Sequence, residues 1–89
     1  MRTLIYFTSQ LPGLTDDLER AGFQVFEALA ISEVFYLAEQ HPSAQIVIDS
    51  SVEDPAALQV AQHHPTMRLK PGTTAAALVL EIGFPGQVQ

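Results

Sequence analysis

Two rhythms of apolar residues alternate along this chain. Short uninterrupted runs, Leu4-Ile5-Tyr6-Phe7 and Ile46-Val47-Ile48, are separated by stretches in which apolar positions recur every three or four residues. The unbroken runs suit parallel strands covered on both faces, and the spaced pattern suits the amphipathic helices that cover them.

Residues 3–8 predict a first, internal strand, followed by a loop punctuated by Pro12 and Gly13. Leu14, Leu18 and Ala21 then fall at i, i+4 and i+7, a helical stripe with Asp16 and Asp17 in the first turn, where the helix dipole favours them. Gly22 supplies a left-handed C-terminal cap. Residues 23–29 form a second strand with Phe23, Val25 and Leu29 on one face and Gln24, Phe26 and Ala28 on the other. Glu27 breaks the apolar face and predicts an edge position. Ser32 reads as the N-cap of a second helix that buries Ile31, Val34, Phe35 and Ala38 and ends at His41-Pro42.

The central strand, residues 44–48, stops at Asp49-Ser50-Ser51. Asp54 as N-cap and Pro55 as first helical residue open a third helix, with Ala57, Leu58 and Ala61, helped by Val60, as its apolar face. His63-His64-Pro65 closes it. Residues 66–70 alternate, Met67 and Leu69 inward and Arg68 and Lys70 outward, as in a strand with one covered face or an edge strand. Pro71-Gly72 turns the chain. Thr73 or Thr74 caps a last helix in which Ala75, Leu78, Val79 and Ile82 align, Gly83 ends it, and residues 84–89 form a tail. Ala38-Glu39-Gln40-His41-Pro42 and Ala61-Gln62-His63-His64-Pro65 end two successive helices alike, 23 positions apart. With no third copy, this is one turn solution used twice.

Four strand–helix units with right-handed crossovers predict an α/β fold: three αβα layers around a parallel four-stranded sheet in order 2-1-3-4. The 89 residues leave room for one domain, spanning 1–89. Ten acids against Arg2, Arg20, Arg68 and Lys70 give a net charge of −6, so a nucleic acid partner is not expected. No cysteine is present, which removes disulfides and thiolate chemistry. No stretch predicts a membrane span, and a cytoplasmic location is expected.

In open parallel sheets, chemistry gathers at the carboxyl ends of the strands, which makes Asp49 the first candidate residue. Its plainest role is structural, accepting hydrogen bonds from amides of the following helix. Ser9, Ser50 and Ser51 also end strands but have no base beside them in the sequence, so none is expected to be a nucleophile. His63 and His64 are adjacent and point about 100° apart on a helix, so a shared metal is not expected. Together with His41 they suit helix C-termini.

The run from Ile31 through Glu39-Gln40-His41-Pro42-Ser43-Ala44 to Asp49 resembles the second helix and third strand of response-regulator receivers, and Leu69-Lys70-Pro71 resembles their last strand. The resemblance implies a flavodoxin-like, receiver-like fold and a role in signal transduction. It makes Asp49 the phosphoacceptor and Lys70 the cation that contacts the phosphoryl group, with Mg²⁺ required only if Asp49 is phosphorylated. Receivers carry an acidic pair after the first strand where this chain has Ser9-Gln10, and they have a fifth strand–helix unit. The expectation is therefore a truncated pseudo-receiver acting by protein–protein interaction without catalysis. The alternatives are a phosphoaccepting receiver and a small ligand-binding or carrier subunit. Loss of one unit predicts an exposed surface and a homodimer, with Met67, Leu69, Leu78, Val79, Ile82 and Phe84 as interface candidates.

Overall fold

The computed structural model describes residues 2–10 and 13–82. The elements run β1 (Thr3–Phe7), α1 (Thr15–Arg20), β2 (Gln24–Ala28), α2 (Ile31–Gln40), β3 (Gln45–Ile48), α3 (Asp54–His63), β4 (Thr66–Arg68) and α4 (Ala75–Ile82). All strand pairs are parallel and the sheet order is β2-β1-β3-β4. This is the predicted order, and the fold is a three-layer α/β arrangement of flavodoxin-like type. The pattern dictates it: β1 and β3 are apolar on both faces and take the centre, while Glu27 and Arg68 lie on the two edge strands. Among the described residues, no helix is long and apolar enough to cross a membrane.

Strand alternation divides the core in two. Leu4, Tyr6 and Val47 face one layer, packing with Leu18 of α1 and with Ala75, Leu78, Val79 and Ile82 of α4. Ile5, Phe7, Ile46 and Ile48 face the other, against Val34 of α2 and Ala57 and Val60 of α3. Gly22 takes the left-handed backbone expected after α1, with φ 104°. Gly72 does the same at the turn before α4, with φ 81°. Thr74 rather than Thr73 caps α4, its Oγ1 accepting the Ala77 N–H at 3.1 Å. His41 and His64 occupy the same C-cap position, each donating its N–H to the carbonyl four residues earlier.

Several expectations need correction. Ala30, not Ser32, precedes the first residue of α2, so Ser32 lies inside the first turn. Glu53 takes the N-cap position of α3 and Asp54 the first helical one. Leu58 and Ala61 are exposed, and α3 buries Ala57 and Val60 instead, with Ala56 half-buried. Phe35 is only half-buried and joins neither core cluster.

The interface candidates fare worst. Leu69, Leu78, Val79 and Ile82 are core residues, with Leu78 completely shielded, and Met67 is half-buried against the same cluster. α4 itself covers this sheet face, so Leu69, Leu78, Val79 and Ile82 are not available as a docking surface. Phe84 lies outside the described residues, as do Gly83, Leu11, Pro12 and the remaining tail.

Candidate functional site at the carboxyl end of the sheet

The carboxyl ends of β1 and β3 are joined beyond the assigned strands by the Asp49 N–H, which donates to the Phe7 carbonyl at 2.8 Å. Asp49 therefore stands beside Thr8, between the two central strands. A small pocket of about 250 Å³ opens there, lined by Tyr6, Gln10, Gly13, Asp49, Lys70 and Thr73 among others. The two residues singled out by the receiver resemblance thus share one cavity. Lys70 forms no ion pair with Asp49.

Four protein groups lie within hydrogen-bonding reach of the Asp49 carboxylate, of which the Thr8 hydroxyl shares its single proton with the Gln10 carbonyl at 3.0 Å. Tyr6 Oη donates to Oδ1 at 2.9 Å. Oδ2 receives the Ser51 hydroxyl at 2.6 Å and the Ser51 backbone N–H at 3.2 Å, and Thr8 Oγ1 lies 3.2 Å from it. The Ser51 contacts form an Asx-turn, in which a carboxylate accepts the amide two residues on. The donors come from the neighbouring strand and the loop, not from the amides of α3 as the sequence suggested. Ser51 extends the network, its Oγ accepting the Ser9 N–H at 3.1 Å while its carbonyl accepts the Ser9 hydroxyl at 2.8 Å.

Tyr6 reaches Asp49 only because Gly13 lacks a side chain. A Cβ there would sit 2.5 Å from Tyr6 Oη and 2.7 Å from its Cε2, well inside contact distance. The buried ring is fixed at its tip, since Oη also accepts the Leu14 N–H at 3.3 Å where α1 begins. One phenol thereby ties the first loop to the end of β3.

These contacts set the electrostatics. Burial favours the neutral form of Asp49, but the hydrogen bonds from Ser51, Tyr6 and Thr8 outweigh it and hold the carboxyl below its ordinary pKa. Burial raises Tyr6; the Leu14 N–H opposes that, the Asp49 hydrogen bond and charge add to it, and the net shift is upward. The pair is thus fixed as carboxylate and neutral phenol at neutral pH. Ser9, Ser50 and Ser51 have no histidine within reach. His41 and His64 line a cavity with Gln45, Ile46 and Pro65 at the opposite, amino end of β3 and β4. Their rings, with that of His63, rest on aromatic neighbours, His41 stacked on Phe26 at 4.3 Å and the other two against Phe35. No cluster of three or more metal-ligating side chains occurs among the described residues.

Sequence reasoning singled out Asp49 and Lys70 and weighed Ser51 only as a nucleophile, but missed Tyr6, Thr8 and Gly13 and the hydrogen bonds that Ser51 gives to Asp49. A signal was present for the first: Tyr6 is the one hydroxyl-bearing side chain in an internal apolar run, and a buried tyrosine hydroxyl needs a partner. No family model, curated protein or solved structure matches this chain.

Proposed function

We propose that the chain is a receiver-like module of cytoplasmic signal transduction that acts by contact with another protein and does not transfer phosphate. The observation that carries this reading is the state of Asp49, whose two oxygens are both hydrogen-bonded to protein donors. A phosphoaccepting carboxylate must offer an oxygen in line with the phosphorus, beside a divalent cation that neutralises the developing charge. Here the place of the receiver's acidic pair is held by Ser9 and Gln10, whose backbone and side-chain groups bond to Ser51 and Thr8. Asp49 in this reading is the knot that fixes the loops after β1 and β3.

A second reading has one observation in its favour. Asp49 and Lys70 line the same pocket, the arrangement a phosphorylated aspartate would use. Beryllofluoride with Mg²⁺, a mimic of the phosphoryl group, separates the two. The first reading expects an unchanged amide spectrum by two-dimensional NMR. Shifts centred on Asp49 and Lys70 that vanish in Asp49→Asn would establish the second instead.

A further inference from the structure

The outer face of α2 carries a second, differently built site. Ser32, Phe35, Tyr36 and Glu39 lie at i, i+3, i+4 and i+7, one continuous stripe along the helix. With His63 and His64 from the end of α3 they line a trough of about 720 Å³. Its wall is aromatic: the Phe35 ring lies 5.5 Å from that of His63 and 5.6 Å from that of His64. Tyr36 stands above it, 62% exposed, an unusual position for a large aromatic side chain on a helix that has a core to fill. A second trough of about 430 Å³ runs along the other side of Tyr36, where Glu27 and Glu33 contribute to its walls.

Apart from the imidazoles of His63 and His64, the ionisable side chains lining these troughs are acidic: Glu39 in the first and Glu27 and Glu33 in the second. Neither α2 nor α3 contains a lysine or arginine. Of the four cations in the chain, Arg20 pairs with Asp17 and Arg68 with Asp54, Arg2 donates to the Ile82 carbonyl on the opposite layer, and Lys70 lies at the strand-end pocket. Glu33 and Glu27 have local partners in the Leu29 N–H and the Thr15 hydroxyl. The Glu39 side chain has no hydrogen bond or ion pair among the described residues.

The geometry points to the α2–α3 trough as a docking site for a basic, apolar segment of a partner protein, in which an arginine lies over Phe35 and Tyr36 and reaches Glu39. The ring faces attract a guanidinium through their quadrupole. The long aliphatic stem covers the apolar wall while the head stays with the carboxylate and water. An acidic segment would bring like charge against Glu39, and a purely aliphatic one would leave Glu39 facing an apolar surface. This inference rests on the contact reading above in naming where contact occurs, and it does not involve Asp49.

The test uses two acetylated, amidated heptapeptides of alternating leucine and arginine, identical except that citrulline replaces arginine in one. Each is titrated into the whole chain to about 1 mM and followed by two-dimensional NMR, a range that reaches weak binding. The arginine peptide is expected to shift resonances of Phe35, Tyr36, Glu39, His63 and His64. The citrulline peptide, Tyr36→Ala and Glu39→Gln are each expected to weaken binding by about tenfold, as loss of an anchoring contact does. Asp49→Asn should bind like the parent. Absence of binding, equal affinity for the two peptides, or shifts centred on Glu53 and Asp54 rather than the trough would overturn the proposal. Beryllofluoride shifts at Asp49 would overturn only the non-phosphorylating reading and leave the trough standing.

Discussion

The carboxyl end of the sheet and the α2–α3 flank both set polar groups against apolar walls, but they resolve them differently. At the sheet end the polar side chains are answered from within the chain, and no buried side-chain nitrogen or oxygen among the described residues lacks a partner. On the flank, Glu39 and the exposed ring of Tyr36 are left for solvent or for another molecule. A carboxylate at a strand end is therefore not a reactive group by position alone. What decides is how its neighbours engage it, and here both oxygens accept hydrogen bonds from within the chain, Oδ1 from Tyr6 and Oδ2 from Ser51 and Thr8.

Three substitutions sharpen this contrast. The largest effect belongs to the region the sequence mistook for a surface. Leu78 is completely buried, so Leu78→Ala should destabilise the fold by about 2–5 kcal/mol, the range for deleting a buried leucine side chain. Chemical denaturation measures it, and a loss under about 0.5 kcal/mol, typical of exposed positions, would return α4 to the list of contact surfaces. Next comes Gly13→Ala. The new methyl must displace the Tyr6 ring from a packed core, at a cost of about 1–3 kcal/mol for overpacking, and the Tyr6–Asp49 bond should be lost with it. If Gly13→Ala were as stable as the parent with unchanged Asp49 shifts, the close approach of loop and phenol would be wrong. Tyr6→Phe is the mildest of the three. It removes one hydroxyl and leaves the Leu14 N–H and Asp49 Oδ1 without it, a loss of about 1–2 kcal/mol.

The fold was legible because its strands differ in kind. Two runs apolar on both faces can only be central in a sheet with helices on each side, and a strand carrying Glu27 or Arg68 belongs at an edge. The rotation of α3 was not legible, because Ala56, Ala57, Leu58, Val60 and Ala61 support more than one apolar stripe, and only contact with the sheet selects Ala57 and Val60. Phe35 fits the helical period of α2 equally well, yet it leans toward His63 and His64, residues distant in sequence. Asp49 could be located from strand-end logic alone. Its partners could not, since Tyr6 reaches it across 43 positions, by a route that depends on an absent Cβ at Gly13.

The central claim is that Asp49 is held as a hydrogen-bonded carboxylate, and titration of its side-chain carboxyl carbon by NMR tests it most directly. Because the folded pKa is the lower one, the stability Asp49 contributes is complete above its unfolded value and is lost as the pH falls through the folded value. The native midpoint should lie below the ordinary aspartate value of about 3.9, and it should move upward in Tyr6→Phe, where one donor is gone. A native midpoint at or above the ordinary value, unmoved by Tyr6→Phe, would contradict the account.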